Sequence, residues 1–269
     1  MPLSPRPLHS NLTVAQRGRQ SRFAAERSVD LHCHILPGVD DGPPAMEDAL
    51  GLCRLLVRDG FTDVIATPHQ LGRWENANSP PDIRLAAEQL QQRLDAERIP
   101  LNVYAGGEVR IDERIPRLLE TDGILTLADG RRYLLLELPP VARIDPEVVM
   151  PLFTAANVRI VLAHAERYES LCEDHNTAAA WLDAGASLQL NAASLLGGNG
   201  KPAMDAAWDW LGSGWVSLVA TDSHSVGSRR PRMAEAIDLI ARELGDDAAK
   251  MVCIDNPTKV LLGQELDAL

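Results

Sequence analysis

The sequence predicts an α/β domain of repeated strand–helix units that closes in a barrel-like way. Three observations carry this expectation. Seven short apolar runs alternate with helical patterns from residue 29 onward. The runs are almost continuously apolar, as strands covered by helices must be. No linker or low-complexity stretch interrupts residues 29–269, so successive strands run parallel through crossovers of one hand. Seven such units suit closure better than an open sheet, and in barrels the chemistry gathers at the C-terminal ends of the strands.

The expected strands, in order, are SVDLH, DVIAT (63–67), LNVYAG (101–106), YLLLEL (133–138), VRIVLAH (158–164), SLQLN (187–191) and VSLVATD (216–222). The first helix, in PPAMEDALGLCRLLVRDG, has prolines at its start, an apolar stripe and Gly60 as its stop. PPDIRLAAEQLQQRLDAER makes the next. DPEVVMPLFTAAN places Asp145 at the cap and Pro146 at the first helical position. Helices near 174–184, 202–213 and 231–244 continue the alternation, and DNPTKVLLGQEL opens a last short helix with Asn-Pro. The ADGR turn at 128–131 is expected to join an extra short strand to the fourth one.

Composition narrows the function. A formal charge of −12 over 269 residues argues against nucleic acid as the main partner, because phosphate backbones are bound by Lys and Arg. No apolar run is long enough to span a bilayer. The four cysteines, Cys33, Cys53, Cys172 and Cys253, form no C-x-x-C pair. With no signal peptide visible, they read as free thiols in a reducing cytoplasm. Residues 1–28 carry five arginines against Glu26 alone and read as a flexible basic tail, with residues 29–269 as the catalytic domain.

The chemistry lies at the strand ends. The first strand finishes in His32, His34, Asp40 and Asp41, and the second in His69. Glu108 follows the third, Glu137 lies in the fourth, His164 ends the fifth, and Asp222 and His224 end the seventh. Of seven histidines, only His9 and His175 fall elsewhere, so five imidazoles converge with carboxylates on one face. A single histidine of this kind is usually a satisfied core residue; five are not. Residues two apart on a strand share a side, so His32 and His34 can grip one ion while Cys33 faces the helix layer. The set is too large for one catalytic ion. Glu108 and Glu137 can bridge, since a carboxylate offers two oxygens. Two or three divalent ions are therefore expected. Imidazole with carboxylate and no thiolate suits Mn, Fe or Zn rather than Ca or a structural zinc site.

Several segments, DLHCHILPGVDDGP, ATPH, GGE, HAERY, LQLNAASLLG and ATDSH…RRP, resemble the polymerase-and-histidinol-phosphatase (PHP) superfamily. Within it they are similar to the bacterial metal-dependent protein-tyrosine phosphatases of capsule and exopolysaccharide biosynthesis. The resemblance runs from about residue 29 to 260, with the motifs in family order. It implies a distorted (β/α)7 barrel carrying three metals, with manganese the first expectation. The implied ligands are His32, His34, Asp41, His69, Glu108, Glu137, His164, Asp222 and His224. Arg167 (HAER) and Arg230 (before proline, after DSH) would bind substrate phosphate, with Arg229 competing for the second role. The chain departs from the family at Gln70, often a second His, and at Ser225, commonly Asn.

The implied activity is hydrolysis of phosphotyrosine on protein by a metal-activated hydroxide, the partner being a polysaccharide-assembly tyrosine kinase. A PHP phosphatase of small molecules, such as histidinol phosphate, is the alternative. A polymerase-associated exonuclease-like module fits less well, because no polymerase domain accompanies it. Cysteine chemistry is excluded: the positions six after the four cysteines are Val39, Asp59, Ala178 and Lys259, and none is the arginine that route needs. No G-x-S-x-G elbow is present, and GGNG at 197–200 lacks the G-K-[ST] of a phosphate loop.

Overall fold

The computed structural model describes residues 26–140 and 143–268. Most of the expected basic tail lies outside the described residues. Its last three residues are tied to the body: Arg27 forks onto Asp63, with Nη2–Oδ1 at 2.7 Å and Nε–Oδ2 at 3.0 Å.

All seven expected strands form. They are β1 (Val29–Cys33), β2 (Asp63–Ala66), β4 (Asn102–Ala105), β6 (Tyr133–Glu137), β7 (Arg159–Leu162), β8 (Ser187–Asn191) and β9 (Val216–Ala220). Two more are short continuations, β3 (His69–Gln70) after β2 and β5 (Glu108–Arg110) after β4. Pro68 breaks the first of these runs and Gly106-Gly107 the second. At the second break the backbone passes so close to its neighbours that a Cβ on Gly107 would lie 2.4 Å from Gln70 Oε1. The breaks divide the strands into a three-stranded sheet, β1-β2-β4, and a six-stranded sheet, β3-β5-β6-β7-β8-β9, with every pairing parallel. On the other side β1 meets the end of β9, where Asp222 N donates to His32 O (2.8 Å) and His34 N to Ser223 O (2.9 Å).

The helices begin and end as their sequences require. Helix α1 (Met46–Asp59) stops at Gly60, which takes φ 108°. Its prolines lie just ahead of the helix and not at its first position. In α2 (Pro80–Ala96) the Ser79 side chain accepts from Asp82 N, and in α4 (Pro146–Ala155) Asp145 caps Glu147 N. The helices α6 (His175–Asp183), α8 (Lys201–Gly212), α9 (Met233–Leu244) and α11 (Asn256–Leu261) fall where expected. Four short ones were not legible: α3 (Ile115–Glu120), α5 (Glu169–Glu173), α7 (Ala192–Leu195) and α10 (Asp246–Lys250). The expected hairpin at ADGR does not form. Leu127–Asp129 is a 3-10 turn with Ala128, Asp129 and Arg131 all at positive φ, and no strand lies between α3 and β6.

Strand alternation sorts the core into two clusters. Leu134, Leu136, Ile160, Leu162, Leu188 and Leu190 pack with the helices. Val29, Leu31, Ile65, Leu135, Val161 and Leu218 form a smaller second cluster. β1 is irregular between Asp30 and Cys33, and an irregularity of this kind re-aims side chains. Cys33 accordingly joins the helix-facing cluster, while His32 and His34 turn the other way, toward the site.

Candidate metal centre

All nine expected donor residues meet at one end of the strands. Their donor atoms fall into four overlapping groups: His34 with Asp41, His69 and His224; His32 with His34 and Asp222; His32 with Glu108 and His164; and His69 with Glu108 and Glu137. Glu108 is the hub. Its Oε1 lies 2.8 Å from His164 Nε2, and its Oε2 lies 2.9 Å from His69 Nδ1, 3.3 Å from His34 Nε2 and 3.5 Å from His32 Nε2. Asp41 Oδ1 lies 3.3 Å from His224 Nε2 and 3.4 Å from His69 Nε2. Asp222 Oδ1 lies 3.6 Å from both His32 and His34 Nε2. Two of these residues, His164 (φ 33°) and Asp222 (φ 52°), sit in the left-handed region directly after their strands. That conformation costs an ordinary residue about 1–2 kcal/mol, and here it coincides with donor positions, as strain at functional sites does.

The donor set fits divalent cations. Spacings of 2.9–3.6 Å between donor atoms are the edges of polyhedra with bonds of about 2.0–2.2 Å. His32 and His34 present Nε2 atoms to each other at 3.3 Å, where two N–H groups could not point together. His69 Nδ1, Glu108 Oε2, His164 Nδ1 and His224 Nε2 are buried and, although three of them lie close to a neighbouring donor or acceptor, none makes a well-directed hydrogen bond. Buried polar atoms are seldom left so.

The second ring nitrogens of His32, His34 and His224 are held from behind, as metal-binding imidazoles need. His34 Nδ1 meets Asp40 Oδ2 at 2.6 Å, and Asp40 also accepts from the His69 and Gly42 amides. Asp40 is therefore the carboxylate of the DDG pair that orients a ring, and Asp41 the one that faces the cluster. His32 Nδ1 meets Gln189 Oε1 at 2.9 Å, and the same oxygen accepts from His164 N at 3.0 Å. Gln189 donates to Asn191 Oδ1, and Asn191 donates to Asp222 Oδ2. Gln189, Asn191 and Arg110 were missed as site residues. The signal was there: two amides at spacing two in the buried strand SLQLN, and an arginine two residues after Glu108 on the same strand. Arg110 donates to Glu137 Oε1 at 2.8 Å and to Leu138 O.

The electrostatics are those of a crowded site of mixed charge. Burial opposes charge on His32 and His34, yet Glu108 with Asp222, and Asp40 with Glu108, outweigh it and raise both. His69 is likewise lifted to about 9, Asp41 and Glu108 overcoming burial. Burial would raise Glu108, but His32, His164 and His34 hold it well below the usual carboxylate range. His224 is pushed down to about 4 by burial and by His34. Burial and the neighbouring Glu108 raise Glu137.

Two arginines overhang this cluster. Arg167 Nη1 lies 3.0 Å from Asp222 Oδ2, as its position after His164 implied. The second is Arg229, not Arg230. Arg229 Nη2 lies 3.1 Å from Asp222 Oδ1 and its Nη1 lies 3.7 Å from Asp41 Oδ2. The reason is local: His224 N and Ser225 N both donate to Arg229 O, folding residue 229 back over the strand end. Arg230, the next residue, is exposed and lies outside the lining of the cavity. Gln70 is a structural bracket, joining Leu125 N and Asn78 O, and Ser225 Oγ accepts only a weak 3.3 Å bond from Gly227 N. The cluster opens into a cavity of about 300 Å³ lined also by Arg110, Arg167 and Arg229.

Residues 28–262 match the family model described as capsular polysaccharide synthesis, CpsB/CapC. The chain belongs to this family. Tyrosine-protein phosphatase YwqE of Bacillus subtilis is 32% identical over 226 residues, 83% of this chain and 88% of its own length. Tyrosine-protein phosphatase CpsB of Streptococcus pneumoniae is 29% identical over 244 residues, 88% of this chain and 99% of its own. A solved structure from the YwqE and CpsB pair, called unique metal-dependent tyrosine phosphatases, superposes with a TM-score of 0.84 at 32% identity. That alignment covers 90% of this chain and 97% of the other. The resemblance carried by the sequence motifs is thus borne out. A solved organophosphorus hydrolase of Deinococcus radiodurans, 16% identical, shares the fold alone, with a TM-score of 0.53 over 90% of this chain.

Proposed function

We propose that this CpsB/CapC family member is a metal-dependent phosphatase that hydrolyses phosphotyrosine on protein, in the service of capsule or exopolysaccharide synthesis. The observation that carries the reading is the cluster of nine donors, with buried atoms that make no well-directed hydrogen bond, overhung by two arginines. His32, His34, Asp41, His69, Glu108, Glu137, His164, Asp222 and His224 would hold two or three divalent ions, manganese before iron or zinc. When bound, such ions supply Lewis-acid charge and a water acidic enough to be a nucleophile near neutral pH.

The chain's own groups do the rest. Arg167 and Arg229 grip the equatorial phosphoryl oxygens, where charge is spread during transfer. Their planar forks match phosphate geometry, as a lysine would not. Asp40 and Gln189 fix the rings of His34 and His32, so the donors need not reorganise. Arg110 holds Glu137 in place from the outer side.

The finer architecture we propose is a closed, distorted seven-unit barrel, with β2/β3 and β4/β5 each counted as one broken strand. The hydrogen bonds between β1 and the end of β9 support closure. We place residues 29–269 as the catalytic domain, a cytoplasmic one. Four cysteines without a disulfide support a reducing compartment, and no helix of the described residues is long and apolar enough to cross a membrane. The partner is the phosphorylated tail of a tyrosine kinase of polysaccharide assembly. The test is metal analysis of the purified protein, with turnover of a phosphotyrosine peptide, histidinol phosphate and single-stranded DNA before and after chelation. Peptide turnover that is lost on chelation and restored by Mn²⁺ is expected. Faster histidinol phosphate turnover, or activity indifferent to chelation, refutes the proposal.

A further inference from the structure

The floor of the cavity is charged, but one stretch of its wall is not: Leu71, Trp74, Leu138 and Pro140 line it. Trp74 is fixed there by more than its own backbone. Its indole lies nearly parallel to the His69 imidazole, with centroids 6.0 Å apart and planes at 9°. The Arg73 guanidinium carbon stands 5.1 Å from the indole centroid, within cation–π reach. The 3-10 turn that carries Trp74 begins with Leu71 at φ 66° and Gly72 at φ 59°, and closes with Trp74 N donating to Leu71 O at 3.0 Å. A Cβ on Gly72 would come within 3.1 Å of Arg110 Cγ, so the turn packs directly on a residue of the site. A leucine rarely adopts the positive φ seen at Leu71, and this turn places Trp74 at the mouth.

A phosphate monoester has two halves. The charged floor with its arginines can hold only the phosphoryl half. The apolar wall must therefore meet the leaving group. An alkyl alcohol such as serine or a sugar offers that wall little apolar area. A phenyl ring offers an aromatic surface that an indole contacts favourably, edge-on or offset.

We propose that Trp74 is a specificity-determining residue that selects aryl over alkyl phosphate monoesters by receiving the ring of the leaving group. This rests on the reading of the site as a phosphomonoesterase. Binding of phenylphosphonate and methylphosphonate, which share a charged head and have no hydrolysable ester, tests it by calorimetry on the metal-loaded full chain. Wild type, Trp74→Ala and Trp74→Phe are compared, with metal content measured for each. Trp74→Ala should weaken phenylphosphonate by about tenfold and methylphosphonate by less than about twofold, with Trp74→Phe recovering most of the loss. In turnover, the ratio of kcat/KM for a phosphotyrosine peptide over a phosphoserine peptide should fall by a similar factor. Equal losses on both phosphonates overturn the proposal, because Trp74 would then only support His69. No change on either overturns it too, because no ring would touch the indole. If the loaded wild type hydrolyses no monoester, the phosphatase reading falls, while the two phosphonates still decide what Trp74 does.

Discussion

Replacing Arg229 with alanine should damage turnover and leave metal content intact, whereas Arg230→Ala should change neither. Arg229 approaches the cluster through Asp222 at 3.1 Å and Asp41 at 3.7 Å, and its side chain is 41% exposed. A preorganised charged donor in a dry site is worth about 3 kcal/mol to the transition state. Partial exposure screens Arg229, so about 1.5–2 kcal/mol is the fitting figure. That corresponds to roughly 10- to 30-fold in kcat/KM. Arg229→Lys should recover only part, because an ammonium cannot make a forked contact. Arg230 is exposed and does not line the cavity, and an exposed surface substitution of this kind changes stability by less than about 0.5 kcal/mol without touching the site. The assay is kcat/KM on a phosphotyrosine peptide, with bound metal quantified on the same preparations. A damaging Arg230→Ala beside a silent Arg229→Ala would refute the register taken from the fold after DSH.

Three further outcomes are expected. Glu108→Ala or His164→Ala should remove bound metal and cut turnover more than about tenfold while the circular dichroism stays native; near-wild-type rates at full metal loading would dismiss them as ligands. Gln189→Leu strands the His164 amide and frees the His32 ring, so metal affinity should fall about 10- to 100-fold in a titration with Mn²⁺; unchanged affinity would mean the rings need no such support. Asp59, which caps α9 through the amides of Met233 and Ala234, has its pKa raised by burial. The folded chain therefore holds that proton more tightly than the unfolded one, and stability from this group declines as pH rises from its unfolded value through the raised one. Asp59→Asn should flatten that decline in urea titrations, and Asp59→Ala should lose about 1–2 kcal/mol of capping at any pH; parallel curves for wild type and Asp59→Asn would contradict the shift.

The long strands and helices were legible because each carries a complete local signal, such as Asp145-Pro146 at the start of α4 or Gly60 after α1. The donors were legible because strand ends and rare histidines coincide. What escaped depends on neighbours remote in sequence. Gln189 reads as one polar residue in a buried strand until His32, 157 positions away, is seen beside it. β3 and β5 are too short for any periodicity; beyond the breaks at Pro68 and Gly106-Gly107 they resume pairing with each other, and β5 gains β6 as a new partner. The ADGR segment has the residues of a hairpin turn, but no strand runs directly into it: α3 separates it from β5, which pairs with β6 in parallel. Arg229 and Arg230 are indistinguishable by type; only the fold-back onto His224 separates them.

The meeting of β1 with the end of β9 also has a bearing on how the protein matures. His32 and His34 leave the ribosome about 190 residues ahead of Asp222 and His224. Contacts between segments about 190 residues apart form late, because the intervening chain must first be organised. Until then the early histidines lack most of their companions and remain weak traps for any passing cation. If these donors hold ions as proposed, loading would wait until β9 has been made and has met β1, and a fully loaded chain would be one in which that contact has formed.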